Sequence, residues 1–346
     1  MGTYVARRLL QFIPILIVLS VVFFVLVNLA PGGPMAGQSQ SRRIPPERAA
    51  ILRRQFGLDK PLPVQYLIWL VGNDWMRVDN DGDDLPDGYG TRKGILRGDF
   101  GFSFRTRQPV LEEIKSRLLN TIYLMSVTLV VVALIAIPVG VFSAIKQYSF
   151  FDFTVTTFTF MGQAIPEFWL GLILILVFYS WLENPFTGQP LLPAGGMYTL
   201  QSDFSIWDWI KHLILPVTMG AVGWIAWYSR FLRTGMLDVI HQDYIRTARA
   251  KGLTMSKVYY KHALKNAVIP LVTIFALDLP YIFAGSLYVE LLFSWPGMGR
   301  LYYQAAVDRD YPLLLAILII GTLAVLLANL LADIAYAYLD PRIRYE

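Results

Sequence analysis

Residues 243–270 read DYIRTARAKGLTMSKVYYKHALKNAVIP, a basic, amphipathic stretch set between apolar spans. It carries Arg246, Arg249, Lys251, Lys257, Lys261 and Lys265 against a single acid, Asp243. Gly252 has helix-forming residues on both sides, a pattern that predicts two short helices meeting at a glycine stop. Ala248 and Gly252 stand one turn apart, so a partner surface is expected to approach the backbone closely there. Tyr260, Leu264, Ala267, Val268 and Leu271 recur at three- and four-residue steps, which runs the second helix into the next apolar span.

The spans themselves follow from composition. Of 346 residues 55% are hydrophobic and only 16% charged, far from the balance of a soluble domain. Six stretches are long enough to cross about 30 Å of hydrocarbon. They lie near Leu9–Ala30, Thr121–Ala144, Phe153–Leu182, Leu213–Phe231, Ala267–Leu291 and Pro312–Leu339. The reading is an all-α polytopic membrane protein with six transmembrane helices. Residues 1–30 form the N-terminus and first helix. An external loop region covers 31–118 with an acidic insert at 74–90, and a five-helix core covers 119–346 with the basic loop at 232–266. The first span is read as a retained helix rather than a cleaved leader, because its apolar core is too long and Pro31 follows Ala30.

Orientation comes from the short loops. Arg7 and Arg8 precede the first span, Lys146 follows the second, and Arg342 and Arg344 close the chain. The Glu183–Lys211 loop has one Lys and no Arg. Positive charge therefore places both termini and the 232–266 loop in the cytoplasm. The chain has no Cys, which removes disulfides and thiolate metal sites. No dense Lys/Arg surface with stacking aromatics suggests nucleic acid.

The wording RTARAKG followed by HALKNAVIP resembles the cytoplasmic coupling loop of ABC importer permeases of the dipeptide, oligopeptide and nickel branch. Arg246, Thr247 and Ala248 stand where the wider family has Glu-Ala-Ala, and Gly252 holds the following glycine. GDFGFSFRTRQPVLEEIKSRLLNTI (98–122) is similar to the stretch leading into the second span of such permeases. Arg53, Gln55, Phe56, Gly57 and Leu58 before Pro61 resemble the segment after the first. GQAIPEFWLG (162–171) looks like the third-span motif, and VELLFSWPGMGRLYYQAAVDRDYP (289–312) looks like the segment between the last two spans. The resemblance implies a type I importer bundle in the cytoplasmic membrane of a prokaryote. It implies a second homologous permease, giving a heterodimer, and two cytoplasmic ATPase subunits. It also implies an extracytoplasmic substrate-binding protein, with ATP and Mg²⁺ held by the partners rather than by this chain. Peptides are the expected cargo. Tyr244, Arg246, Thr247, Ala248, Arg249, Lys251, Gly252 and Lys257 would form the ATPase-coupling surface.

Other residues stand out within this frame. Pro138, Pro166, Pro216, Pro270 and Pro280 interrupt apolar spans, which is tolerated beside neighbouring helices or a water-lined path. Asp278 is an acid near the middle of the fifth span, where burial is costly. It is expected to face the bundle or a path shared with Gln163 and Glu167, either attracting the amino end of a peptide or bonded to a neighbouring helix. Trp295, Pro296, Gly297 and Arg300 are expected at the outer mouth, with Arg300, Asp308, Arg309 and Asp310 as a local ion-pair set. Leu111, Ile114 and Leu118 share one face of a short helix before the second span. In the acidic insert, Asp79, Asp81 and Asp83 alternate around Gly82 with Asp87 beyond, so a structural Ca²⁺ site and a solvated acidic loop are both open readings. The EF-hand positions for Gly and Glu hold Asp84 and Gly90 instead.

The absence of a G-x-x-x-x-G-K-[ST] loop means no ATP hydrolysis by this chain. His212, His241 and His262 are scattered, and no hydrolase constellation assembles from them. The rival reading is an ion-coupled secondary transporter using Glu167, Asp278 and Asp333.

Overall fold

The computed structural model describes residues 2–30, 57–79, 88–199, 203 and 205–339, with side chains described through residue 334. Its elements are helical apart from one two-residue antiparallel pair, in which Arg77 faces Tyr89 and Val78 faces Gly88. The principal helices are α1 (Gly2–Leu29), α2 (Leu62–Val71), α3 (Val110–Ile145), α4 (Phe150–Ala164), α5 (Glu167–Ile175), α6 (Ile206–Ile240) and α7 (Asp243–Ala250). They are followed by α8 (Ile269–Asp278), α9 (Leu287–Leu292), α10 (Met298–Val307) and α11 (Tyr311–Leu339). Among the described residues, five segments are long and apolar enough to cross a membrane: α1, α3, α6, the broken run Ile269–Leu292 and the start of α11. A sixth is the pair formed by α4 and the run Glu167–Trp181, whose axes differ by 102°.

Proline acts less uniformly than its chemistry suggests. Pro14, Pro138 and Pro216 lie inside unbroken helices, so the expected interruptions at 138 and 216 do not occur. Losing one N–H per proline is tolerable where the rest of a long apolar helix stays satisfied. Pro270 occupies the first turn of α8, where its missing N–H costs nothing. True breaks sit at Pro166, which opens α5, and at Pro280, which follows α8. The short helix expected around Leu111, Ile114 and Leu118 is instead the first turns of α3, with Ile114 buried.

The described residues group into two compact units. One is drawn from residues up to 118 and from 301–326. Its core packs Phe24 and Val27 of α1, Trp69 of α2, and Tyr311 and Leu315 of α11. Phe24 meets Tyr66 edge-on at 5.5 Å, and the Tyr66 hydroxyl shares a 2.7 Å hydrogen bond with Ser20. Arg97 forks onto Asp74 at 2.6 and 2.7 Å and donates to the Val71 carbonyl, which holds the Asp74 carboxyl below its ordinary pKa. Asp310 is buried and accepts from the Ser103 hydroxyl and from the Phe104 and Arg105 amides, while Asp308 pairs with Arg105 at 2.6 Å. The ion-pair set expected within residues 300–310 is therefore not local: its acids answer to residues 103–105.

The second unit is drawn from 119–300 and from 327 onwards. Small residues set its helix crossings. A methyl group added at Gly140 of α3 would lie 2.6 Å from the Ser229 carbonyl of α6, so the two backbones nearly touch there. One ion pair locks α4 to α6. Arg233 donates from Nε and Nη2 to the two Asp152 oxygens, each at 2.7 Å. Ser143 donates to the same carboxylate, as does the Tyr148 amide at 3.0 Å. Asp152 is 3% exposed, so these four donors replace its water.

Two stability outcomes follow. Gly140→Val should cost about 1–3 kcal/mol by overpacking and lower the melting temperature of the detergent-solubilised protein; an unchanged melt would refute the close crossing. Asp152→Asn and Arg233→Gln should each cost about 3–5 kcal/mol by stranding a buried partner. The double variant should cost less than the sum of the two, measured by the same melts.

Candidate functional site

The basic segment folds as two helical pieces around a glycine. Residues of α7 end at Ala250, and Gly252 adopts φ +75°, a left-handed conformation that an L side chain resists. The chain resumes at Met255–Lys257, passes through a π-helical turn Val258–Ala263, and continues by Leu264–Ala267 into α8. Ile245 and Ala248 of α7 and Val258 and Ala263 beyond it are buried. They pack with Val132, Ala136, Val141 and Ala144 of α3 and Leu232 and Met236 of α6. Tyr244, Arg246, Thr247, Arg249, Lys251, Gly252 and Lys257 are exposed. Two expectations change. Ala248 faces its own chain's core, so a close partner approach is available at Gly252 and not at Ala248. Tyr260 is exposed, and the inward stripe of the second piece is Val258, Ala263, Ala267 and Leu271.

The two proline breaks and α6 enclose a cavity of about 640 Å³. Its lining includes Gln163, Pro166, Glu167, Gly223, Trp224, Trp227, Asp278 and Tyr281. Gln163, Glu167 and Asp278 thus share one space, although they come from α4, α5 and α8. The Tyr228 hydroxyl donates to the Asp278 carboxylate, so this acid is both on the cavity wall and tied to α6. Glu167 lies beside Ser286. Trp224 meets Tyr281 edge-on at 5.3 Å, and Trp227 stacks on Phe231 at 5.6 Å, giving the polar groups an aromatic surround. A side chain added at Gly223 would meet nothing within 4 Å, which marks it as the open side of α6.

The segment after the fifth span is built around a buried acid that sequence reasoning passed over. Glu290 is fully buried, and its Oε1 accepts from Thr121 at 2.7 Å while its Oε2 accepts from the Arg300 amide at 3.0 Å. A Cβ at Gly297 would lie 2.5 Å from that carboxylate, so the turn can close over it only as glycine. Trp295 is fully buried and donates to the Asn120 carbonyl at 2.9 Å, while Asn120 donates back to Pro296. Trp295 and Gly297 are therefore buried and Pro296 half-buried, so this turn is packed inside its unit. The Arg300 guanidinium caps the Ser294 carbonyl at 2.6 Å.

Of the acidic insert, Asp79 is described and has an interaction of its own, whereas Asp81, Asp83 and Asp87 lie outside the described residues. Arg53, Gln55 and Phe56 lie outside them as well. Asp152 and Arg233 were also missed by sequence reasoning. Their only sequence signal is an acid and a base placed near span ends.

The chain matches known proteins along its whole length. The family described as binding-protein-dependent transport system inner membrane component matches residues 136–345, and its N-terminal companion matches residues 1–125. The oligopeptide transport system permease protein AppB of Bacillus subtilis (strain 168) is 42% identical, with all of both chains covered. The dipeptide transport system permease protein DppB of Escherichia coli (strain K12) is 35% identical, with 99% of each chain covered. A solved chain of the MetNI methionine ABC transporter superposes with a TM-score of 0.53 at 17% identity, covering 67% of this chain and 99% of that one. That likeness speaks to the fold, which is the six-span importer bundle expected. The relatives leave no support for the ion-coupled alternative. With both family profiles matched in order, this chain belongs to the inner-membrane permeases of binding-protein-dependent transport systems.

Proposed function

We propose that this chain is a permease subunit of an ATP-driven importer that carries peptides across the cytoplasmic membrane. The observation that carries the reading is the combination, within one unit, of an exposed basic loop rigidly backed by core side chains and a largely apolar cavity, carrying a few polar groups, at two broken spans. Full-length similarity to oligopeptide and dipeptide permeases supports the peptide class.

In this reading two ATPase subunits, which hold ATP and Mg²⁺, dock at Tyr244–Lys257 of this chain and the equivalent loop of a second, homologous permease. An external binding protein delivers peptide to the segment closed by Trp295–Arg300. Closure of the ATPases displaces α7. Because Ile245 and Ala248 are embedded among α3 and α6 side chains, a push on α7 moves those helices as a body rather than bending the loop. Both helices belong to the unit that holds the cavity, and α6 lines it directly. Gln163, Glu167 and Asp278 line the path, with the two acids suited to the ammonium end of a peptide.

Two variants test the reading. Gly252→Trp adds a Cβ that meets nothing within 4 Å, so its cost within the chain is chiefly the left-handed strain of about 1–2 kcal/mol. It should insert normally in the membrane yet lose copurifying ATPase and peptide uptake; normal transport would sink the coupling assignment. Gly223→Trp, whose Cβ would meet nothing within 4 Å, should narrow the cavity and abolish uptake while ATPase copurification persists. Undiminished uptake would show that peptide takes another route.

A further inference from the structure

The cavity wall carries acids, but the face that lines it continues to a base. Gly220, Gly223 and Trp227 line the cavity from α6, and Arg230 is the next residue on that helical stripe. It lies one turn beyond Trp227, toward the coupling loop. Ten residues of α6 still follow it, but the apolar run of that helix ends beside it at Phe231, so Arg230 stands where the cavity face gives way to the polar stretch before the coupling loop.

What Arg230 holds is chemically weak for a guanidinium. Its Nη2 donates to the side-chain oxygen of Gln163, itself a cavity residue. Its Nε reaches the Ala226 carbonyl at 3.2 Å, and its guanidinium lies 4.8 Å over the Phe160 ring. Among the described residues no carboxylate pairs with it, in contrast to Arg233 one turn on, which is saturated by Asp152. A neutral amide oxygen is a poorer acceptor than a carboxylate, which a guanidinium binds in fork geometry about twice as strongly. An anion arriving through the cavity would therefore displace Gln163.

We propose that Arg230 is a carboxylate-binding position at the coupling-loop end of the cavity, so that this permease selects peptides with a free C-terminal carboxylate. The assignment rests on the peptide reading above and adds to it a polarity: Glu167 and Asp278 serve the ammonium end, and Arg230 the carboxylate end. Gln163 is the placeholder that satisfies Arg230 between cargoes.

The test uses the complete importer, with its partner permease, ATPases and binding protein, reconstituted in vesicles. Uptake of a peptide with a free carboxylate is compared with uptake of the same peptide as its C-terminal amide. Because the binding protein is common to all samples, any change in the ratio between variants belongs to the permease. The wild type should favour the free acid, and Arg230→Gln should lower free-acid uptake about tenfold while changing amide uptake little. Equal losses for both peptides would make Arg230 a structural tie between α4 and α6 and overturn the proposal. So would an unchanged ratio, or a wild-type ratio of one. Should Arg230→Gln fail to assemble, Arg230→Lys decides: its point charge should retain the preference at a reduced ratio, and a ratio equal to wild type overturns the proposal. Wild-type vesicles that import neither peptide would instead overturn the peptide reading itself, and this inference with it.

Discussion

Inside hydrocarbon a backbone amide or carbonyl has no water to fall back on, and this constraint governs where the helices of this chain can stop. They stop in mid-span at two places, before Pro166 and around Pro280, and both line the same cavity. At the first, the Ile165 amide still closes onto Met161 at 3.1 Å, and α5 restarts at once with Trp169 donating to Pro166 at 3.0 Å. The chain turns through 102° while leaving few groups unpaired. At the second, the turn Tyr281–Ala284 and the Ser286 cap on the Val289 amide carry the chain into α9. The cavity is thus a product of backbone satisfaction: broken helices need polar or open surroundings, and they create them.

The coupling segment follows the opposite rule. It lies outside the spans, where water would satisfy any conformation, yet it is fixed by apolar anchors. Ile245 and Val258 are fully buried although their neighbours in sequence are charged and exposed. A loop tethered only by charges would slacken with salt, because exposed ion pairs such as Arg246–Asp243 at 3.6 Å contribute little. Apolar burial does not weaken in that way. Charge supplies the surface, and packing supplies the stiffness.

Much of this was legible because it is local. The glycine stop, the helical stripes and the spans depend on residues a few positions apart, and an acid within an apolar run is conspicuous wherever it folds. That is how Gln163, Glu167 and Asp278 were singled out before the cavity was seen. What stayed hidden depends on distant partners. Glu290 gains its meaning from Thr121, Asp152 from Arg233, and Asp308 and Asp310 from residues 103–105. Reading the last two acids as a local set failed because adjacency in sequence was taken for contact. The burial of Trp295 was hidden for a related reason, since it depends on the Asn120 carbonyl that receives its N–H.

The union of residues up to 118 with residues 301–326 in one unit bears on biosynthesis. The ribosome delivers α1 and α2 first and Tyr311 and Leu315, which complete their core, close to last. During most of translation Phe24, Tyr66 and Trp69 have only one another, and Ser103 and the Phe104 and Arg105 amides await an acid not yet made. The segment 119–300 can meanwhile assemble from contiguous chain. The core around α1 and α2 is therefore closed only after residues 119–300 have been made, so a change at Tyr311 or Leu315 is felt at Phe24 and Trp69.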